Sequence, residues 1–327
     1  MRPPDFWMAG PDHPAARCLA PLGAVYGALV ARRMDRPGLP AGCPVLCLGN
    51  FTLGGAGKTP AALAVAALLA ELGRVPAFLS RGYGGLVAGP VQVDPGRHGA
   101  AEVGDEPLLL ARRAPAVVSR DRPAGAALCR RLGADVIVMD DGLQNPSLAK
   151  DLSLAVIDGA VGLGNGLPVP AGPLRAPLDR QWPHVGGLVV VGAGAPGDAL
   201  ARAAERRNLP VHRARLIRDA DDWAGRRCLA FAGIGRPDKF FTTLAEAGAV
   251  IASRRAFPDH HAYRAGELAA LAEEAERLGA DLVTTEKDAV RLPPAVAARV
   301  RVLRVRLAFD DASALRRQIG GVLGPGP

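Results

Sequence analysis

The chain has 327 residues, of which 49% are hydrophobic and 22% are charged, a balance that is ordinary for globular proteins and excludes a mostly disordered chain. This length predicts one large domain or two smaller ones. Forty Lys and Arg residues against 32 Asp and Glu residues give a formal net charge of +8, which favours an anionic partner such as a nucleotide, a nucleic acid or an acidic lipid.

The N-terminal region carries an apolar run over residues 19–31, with arginines at both ends. Crossing a bilayer takes about 20 apolar residues, so this run is too short to span one. With Phe6, Trp7 and Tyr26 as interfacial anchors, it predicts a helix that lies on a membrane surface. The alternative is a soluble helix that packs on the domain and is kinked at Pro21.

Two features indicate the compartment. Arginines follow the apolar run where a signal peptide would have a small-residue cleavage site, so no signal peptide is predicted. The cysteines are odd in number and have no paired spacing, which predicts neither a disulfide framework nor a zinc site and fits a reducing compartment. They are Cys18, Cys43, Cys47, Cys129 and Cys228.

Short apolar strands alternate with helices from Cys43 onward, a pattern typical of an α/β fold with a mostly parallel sheet and helices on both faces. The Gly- and Pro-rich stretch 158–187 predicts a long functional loop. Strands are predicted at 45–49, 76–79, 116–119, 136–139, 154–157 and 188–191, and helices at 59–72, 105–113 and 121–133.

A second strand–helix series begins near Cys228 and predicts a second, smaller α/β domain. We therefore predict a membrane-associated segment at 1–36, a nucleotide-binding core at 37–220 and a C-terminal domain at 221–327. The strands of the second series are expected at 228–232, 249–254, 281–285 and 301–307, and its helices at 237–247 and 264–279.

A glycine-rich turn, NFTLGGAGKT, follows the first strand and opens a helix. This order predicts a P-loop, although Thr52 stands where the strict pattern has glycine. In such a loop backbone N–H groups cradle phosphates, Lys58 reaches the β- and γ-phosphates and Thr59 binds Mg²⁺. The predicted nucleotide contacts are Thr52, Gly54, Gly55, Ala56, Gly57, Lys58 and Thr59.

Two acids, Asp140 and Asp141, follow the strand predicted at 136–139. A P-loop protein holds its Mg²⁺ ligands at the carboxyl end of a neighbouring strand, so both acids are predicted to bind the metal together with Thr59. The alternative is that they only cap the following turn.

Further residues can act on the acceptor. Asp105 begins a predicted helix and can accept a proton from an attacking hydroxyl, although it can equally be a helix N-cap. His260 and His261 are adjacent and point to different faces, so at most one is expected to act. Arg81 and Arg120 follow strands, where a guanidinium suits an anionic group. Solvated surface positions are the alternative for these histidines and arginines.

Together these segments resemble the tetraacyldisaccharide 4'-kinase family, P-loop kinases of lipid A biosynthesis that phosphorylate an acylated disaccharide 1-phosphate. The resemblance covers most of the chain, and the order and spacing of its strings are specific. These strings are GNFTLGGAGKTP, LSRGYGG, VGDEP, VIVMDDGLQN, PAGPLRAP, FAGIGRPDKFF, FPDHHAY and VTTEKDAVRL.

The resemblance implies ATP and Mg²⁺ as cofactors and assigns catalytic roles. Asp105 is expected to be the catalytic base, with His260 coupled to it, Lys58 stabilising charge and Glu106 near the metal. The expected acceptor-binding residues are Arg81, Tyr83, Arg120 and Gln144. Asn145 and Ala176 depart from the family's usual DDGFQH and GPLRE strings, so no role is predicted for either side chain.

The predicted reaction is transfer of the γ-phosphoryl group of ATP to the 4'-hydroxyl of the acylated disaccharide phosphate lipid. It is expected on the cytoplasmic face of a bacterial inner membrane, without nucleic acid or an obligate protein partner. The alternatives are a P-loop kinase of a soluble small molecule and a membrane-cycling ATPase or GTPase switch. ATP is favoured over GTP because the sequence has no N-K-x-D motif.

Overall fold

The computed structural model describes residues 4–219 and 221–324, whose strands form one sheet of nine strands and one of four. The strands are β1 (Val45–Gly49), β2 (Pro76–Ser80), β3 (Val91–Gln92), β4 (Ala116–Val118), β5 (Val136–Asp140), β6 (Leu152–Asp158), β7 (Gly187–Val191), β8 (Val211–Arg218), β9 (Arg227–Ala232), β10 (Val250–Ala256), β11 (Asp281–Thr285), β12 (Arg301–Leu303) and β13 (Val305–Phe309).

Helices of very different lengths connect these strands. They are α1 (Pro14–Met34), α2 (Lys58–Glu71), α3 (Ala100–Val103), α4 (Asp105–Ala111), α5 (Arg122–Arg131), α6 (Leu178–Gln181), α7 (Ala195–Glu205), α8 (Pro237–Glu246), α9 (Ala265–Leu278), α10 (Glu286–Ala289), α11 (Pro294–Ala297) and α12 (Ala312–Leu323).

The nine-stranded sheet has the order β13-β8-β7-β6-β1-β5-β2-β4-β3. It is parallel except at its two edges, where β13 pairs with β8 and β3 pairs with β4 in antiparallel fashion. The predicted α/β fold with a mostly parallel sheet is therefore confirmed. A sheet of this kind needs helices on both faces, because its central strands are buried on both sides.

The central strand β1 shows how both faces are covered. Its side chains alternate: Leu46 and Leu48 belong to the core cluster that includes α2, whereas Val45 and Cys47 belong to the opposite cluster with α5. This alternation follows from the period of two residues along a strand. The carboxyl ends of β1, β5 and β2 consequently lie side by side at one edge, with rigid support on either face.

The four-stranded sheet has the order β10-β9-β11-β12, and all of its pairings are parallel. Phe231 on β9 packs with Leu271 of α9 on one face, and Phe240 and Leu244 of α8 pack on the other. This is the second strand–helix series that the sequence predicts after residue 228. Its strands β9, β10 and β11 and its helices α8 and α9 begin and end within about two residues of the predictions, the usual uncertainty of element ends.

The end of the chain differs from the prediction. The single strand expected at 301–307 is wrong, because the chain passes from β12 in the smaller sheet to β13 in the larger one. Val305 pairs with Arg218 and Phe309 with Ala214. Residues 305–323 therefore pack with the larger unit and not with the C-terminal domain predicted at 221–327. The elements β8, α7 and α12 were likewise not predicted from the sequence.

The N-terminal helix α1 is longer than the apolar run that predicted it. It spans 21 residues and by length and composition is apolar enough to cross a membrane, so the expectation that the segment is too short is corrected. One side of it packs on the protein, since Gly23 and Gly27 approach Pro168 and Pro177 closely. The partly irregular stretch predicted at 158–187 provides this packing surface and contains the short helix α6.

Candidate active site

The turn between β1 and α2 has P-loop geometry. Gly54 and Gly57 adopt positive φ angles of 109° and 89°, a region that glycine enters without steric cost. The loop then leads directly into α2 at Lys58, so its backbone N–H groups and the helix N-terminus can meet an anion together. The structure thus gathers residues 52–59, the predicted nucleotide contacts, in one loop.

Arg175 lies in the stretch between β6 and β7, and its side chain holds this loop in place through hydrogen bonds. Its Nε donates to the Thr52 carbonyl at 3.0 Å, and its Nη2 donates to Asp141 Oδ2 at 2.8 Å. Gln144 donates to the Asn50 carbonyl at 2.8 Å and accepts from Arg175 at 3.3 Å. The amide of Gln144 is therefore used inside the protein, which differs from its predicted contact with the acceptor.

The two acids at the carboxyl end of β5 occupy different environments. Burial and, to a lesser extent, the neighbouring carboxylate of Asp141 together raise the pKa of Asp140 to about 7. Burial also acts to raise the pKa of Asp141, but Lys58 and Arg175 outweigh it and leave that pKa below its usual range. The structure therefore holds one readily ionised acid next to one that resists ionisation without a cation.

The chemistry of the buried oxygen atoms fits a divalent cation. Among the described residues, Asn50 Oδ1, Asp140 Oδ1 and Asp141 Oδ1 are buried without a hydrogen-bond partner. Buried polar atoms are almost always satisfied, and carboxylate and amide oxygens are the ligands that Mg²⁺ prefers. These oxygens and the hydroxyl of Thr59 at the start of α2 form a suitable donor set.

Lys58 lies close to these acids. Its Nζ is 3.8 Å from Asp141 Oδ2 and 3.4 Å from the Gly54 carbonyl. Burial lowers the pKa of Lys58, and the charge of Asp141 opposes that shift. Glu106 is also within electrostatic range of Lys58, so the P-loop and the start of α4 belong to one charged site.

Asp105 and His260 meet across the two sheets. His260 Nδ1 lies 2.8 Å from Asp105 Oδ2, and His260 has a positive φ of 58° in the loop after β10. The sequence places these residues 155 positions apart, and the structure brings them together as the resemblance implies. His261 instead contacts Glu267 at 2.9 Å and stacks on Phe257, so it faces away from Asp105.

Arg291 completes this pair, although the sequence analysis assigned it no role. Its Nε donates to Asp105 Oδ2 at 2.7 Å, and its Nη1 donates to Asp288 Oδ1 at 2.9 Å. Asp288 is fully buried and also accepts a hydrogen bond from the Tyr263 hydroxyl at 2.7 Å. The only sequence signal for this network is the spacing of charged residues in EKDAVR after β11.

These contacts set the charge of Asp105. Burial acts to raise its pKa, but the hydrogen bonds from His260 and Arg291 outweigh burial and leave the pKa below its usual range. Asp105 therefore remains a carboxylate at neutral pH.

A third acid and a lysine lie beside this pair. Lys287 Nζ is 2.9 Å from Glu106 Oε1 and 3.2 Å from His260 Nε2. Ligand atoms of Asp105, Glu106 and His260 all lie within 4.8 Å of one another, a spacing that can hold a metal ion. Glu106 is thus near the predicted metal region, but its carboxylate is paired with Lys287 in this structure.

The predicted acceptor residues have different surroundings. Tyr83 is 73% exposed, and its ring packs edge-on against His260 at a centroid distance of 5.7 Å. Arg81 and Arg120 are exposed. Arg122, which carried no predicted role, is 2% exposed, donates to the Asp140 carbonyl at 3.4 Å and has two buried N–H groups without partners among the described residues.

A cavity of about 630 Å³ is lined by residues of both units beside the P-loop. Its wall includes the ends of β6 and β7 and the start of α8, with Asp158 and Arg236 forming an ion pair across it. Val191, in the same wall, lies close to the P-loop, since a Cβ at position 57 would be 3.5 Å from its Cγ2. The cavity therefore continues the phosphate-binding loop on the side away from Asp105.

A family model described as tetraacyldisaccharide-1-P 4'-kinase matches residues 15–323 of the chain. Curated relatives with the name tetraacyldisaccharide 4'-kinase agree with it over nearly full length. That of Methylobacterium radiotolerans is 84% identical and covers 99% of both chains. That of Methylorubrum extorquens (strain PA1) is 69% identical, and the match covers 98% of each chain. That of Nitrobacter winogradskyi is 54% identical, and the match covers 97% of this chain and 96% of the relative.

Among solved structures, the "apo" form of LpxK from Aquifex aeolicus in complex with ATP superposes with a TM-score of 0.73. The two chains are 23% identical, and the match covers 94% of this chain and 99% of that one. This likeness supports the overall fold described above.

Proposed function

The chain belongs to the tetraacyldisaccharide-1-P 4'-kinase family, and we propose that it transfers the γ-phosphoryl group of ATP to the 4'-hydroxyl of a tetraacyldisaccharide 1-phosphate. The observation that carries this proposal is that the P-loop and the Asp105–His260 pair lie beside each other at one edge of the larger sheet. The P-loop can hold a phosphoryl donor, and the Asp105–His260 pair beside it can take a proton from an acceptor.

The nucleotide is assigned to the P-loop and the adjoining cavity. Lys58 and the N–H groups of residues 54–59 face the phosphates, and the cavity along the ends of β6 and β7 has room for the nucleoside. The ATP complex of the Aquifex aeolicus relative supports ATP as the donor. Lys58 then leaves Asp141 and neutralises charge on the transferred group.

We assign Mg²⁺ to Thr59, Asp140 and Asp141, where it would neutralise phosphate charge and stabilise the charge that develops during transfer. Support comes from the unpartnered buried oxygens of both acids. Arg175 already holds Asp141 through one oxygen and leaves the other free. Glu106 is a poorer candidate than predicted, because Lys287 occupies its carboxylate.

The proton acceptor is assigned to His260 and not to Asp105. Asp105 Oδ2 already interacts with His260 and Arg291, and its lowered pKa makes it a weak base. A carboxylate at Nδ1 instead orients the imidazole and stabilises its protonated form, which leaves Nε2 as the basic atom. This exchanges the roles that the resemblance implies, with Asp105 positioning and His260 accepting the proton.

The acceptor is assigned to the surface that contains Tyr83 and His260, with Arg81 and Arg120 toward its phosphate. A membrane position for the reaction is supported by α1, whose outward side exposes Leu22, Val25 and Leu29 between 62% and 64%. Arginines at the end of α1 suit anionic lipid headgroups and so support a position on the cytoplasmic face of the inner membrane.

The test is transfer of ³²P from γ-labelled ATP to tetraacyldisaccharide 1-phosphate in detergent micelles, by the wild type and by Lys58→Ala. Labelled lipid is expected from the wild type only. Label that appears solely as inorganic phosphate would instead identify a hydrolase, and equal labelling by Lys58→Ala would remove the P-loop assignment.

A further inference from the structure

Lys287 stands at the centre of the candidate site, in the segment that follows β11. Its Nζ lies 3.2 Å from His260 Nε2 and 2.9 Å from Glu106 Oε1. Asp259 adds a second carboxylate at 3.8 Å. Lys287 comes from the smaller unit and Glu106 from the larger one, so this ammonium group is held at the junction where the predicted reaction takes place.

The chemistry of the two partners fixes the direction of the contact with His260. A charged lysine has three donor hydrogens and no acceptor, so Nε2 must be the acceptor. His260 is then neutral and carries its hydrogen on Nδ1, which donates to Asp105 Oδ2. A neutral imidazole has a single lone pair in the ring plane. That lone pair is the basic site of His260, and Lys287 covers it.

We propose that Lys287 is a placeholder for the acceptor hydroxyl, which covers the basic nitrogen of His260 until the acceptor binds and thereby prevents water from being activated against ATP. The inference rests on the proposed function, because it assumes that His260 takes the acceptor's proton. Lys287 then determines whether the phosphoryl group goes to the lipid or to water.

The bond changes are the same for both outcomes. An oxygen forms a bond to the γ-phosphorus, the bond from that phosphorus to the β–γ bridging oxygen breaks, and ADP leaves with the electron pair. The proton of the attacking oxygen goes to His260 Nε2. With the acceptor hydroxyl in place the product is a phosphorylated lipid, and with water it is inorganic phosphate.

Two carboxylates allow Lys287 to leave Nε2 without losing its charge partners. When the acceptor hydroxyl arrives, the ammonium group keeps its ion pairs with Glu106 and Asp259 and gives up only the contact with Nε2. Its side chain is 25% exposed, so it has room for this movement. A lysine is suited to the task because its charge sits on a flexible stem.

The decisive variant is Lys287→Met, assayed for ATP hydrolysis without lipid and for ³²P transfer to tetraacyldisaccharide 1-phosphate in micelles. Uncovering the base should raise hydrolysis about tenfold or more, a part of the 10²- to 10⁴-fold that a fully positioned general base contributes. Transfer per ATP consumed should fall. Arg299→Met is the matched control, since Arg299 is an exposed cation of the same unit, and it should leave both rates unchanged.

A second variant covers the case in which Lys287→Met does not fold. Lys287→Cys treated with 2-bromoethylamine regains an ammonium group on a stem of similar length, and hydrolysis should return to the wild-type rate. Treated wild type controls for the chain's other cysteines. If the wild type labels lipid while Lys287→Met and untreated Lys287→Cys hydrolyse ATP no faster than wild type, the placeholder role is overturned. Failure of the wild type to label lipid would overturn the proposed function itself.

Discussion

Arg291 donates a hydrogen bond of 2.7 Å to Asp105, although the two residues are 186 positions apart and belong to different units of the fold. The arginine is itself held by the Gly233 carbonyl and by Asp288. Its guanidinium therefore forms a rigid support for the carboxylate that orients His260. The Asp105–His260 pair exists only when the two units are in contact, because each unit supplies one member.

Replacing Arg291 with lysine should lower kcat about tenfold or more while the KM for ATP stays the same. Lysine keeps the charge but loses the planar fork that contacts Asp105 and Asp288 at once. Steady-state kinetics at several ATP concentrations measure the effects on kcat and on the KM for ATP separately. Arg299→Lys is the control, and a rise in the KM for ATP with unchanged kcat would contradict the positioning role.

His260→Gln should lower kcat by about 10²-fold or more, since the basic nitrogen is lost. Asp105→Asn should lower kcat by a smaller factor, because it removes only the carboxylate that orients the imidazole ring of His260. His261→Gln is the matched control for His260→Gln. Its kcat should be nearly normal, because His261 contacts Glu267. Single-turnover rates with saturating ATP rank the three, and a larger loss from Asp105→Asn than from His260→Gln would reverse the two roles.

Without Mg²⁺, the stability of the folded chain should fall as pH rises from about 4 toward 7. Burial raises the pKa of Asp140 to about 7, whereas an unfolded Asp has a pKa of about 3.9. The folded state then binds this proton more tightly, so its contribution is present below the lower value and is lost on passing the higher one.

The stability that Asp140 contributes is measured by thermal unfolding between pH 4 and 8, as the difference in Tm between the wild type and Asp140→Asn. Without Mg²⁺, the Tm of the wild type should drop by a few °C relative to the variant across this range, by order of magnitude. Mg²⁺ at pH 8 should raise the Tm of the wild type more than that of Asp140→Asn. Parallel curves in both conditions would contradict the assignment of Asp140.

Gly23→Val should destabilise the protein by about 1–3 kcal/mol, the usual cost of overpacking. A Cβ at position 23 would lie 2.7 Å from the Pro168 carbonyl oxygen, which α1 cannot avoid without moving. Ala28→Val adds the same kind of side chain on an exposed position of the helix and should change stability little. Urea unfolding compares the two, and equal midpoints would show that α1 does not depend on this contact.

Replacing Leu22, Val25 and Leu29 with serine should weaken binding to vesicles of anionic phospholipid more than tenfold. Each exposed side chain removed from an apolar environment costs about 1.5–3 kcal/mol. Val75→Ser/Val250→Ser is the control, because these two valines are about half exposed but lie away from α1. Sedimentation with vesicles measures the effect, and equal losses in both variants would contradict a membrane role of α1.

Much of the fold and of the nucleotide site is encoded locally and could be predicted. The β1 strand, the glycines of the P-loop and the acids that end β5 each carry a signal within about ten residues, and parallel strands bring such ends together. The pairing of Asp105 with His260 came only from the resemblance, since no local pattern relates residues 155 positions apart.

The missed residues share a physical reason. Arg122 and Lys287 lie in the first turns of α5 and α10, and Arg291 follows the end of α10. A sequence gives such charged residues the same appearance whether they are solvated or buried. Which of two neighbouring arginines turns inward, Arg120 or Arg122, depends on how α5 packs against the sheet. The last strand was missed because β13 pairs with β8. The periodicity within a strand does not reveal which other strand it pairs with.

The antiparallel pairing of β8 with β13 has a consequence for the architecture as a whole. The smaller unit leaves the larger one after Arg218 and returns at Val305, two residues that face each other in the same ladder. It is therefore an insertion in what would otherwise be a β-hairpin turn. Excising residues 221–303 and closing the gap with a short Asn-Gly turn should leave a foldable larger unit, whereas removing the last twenty residues of the chain should not.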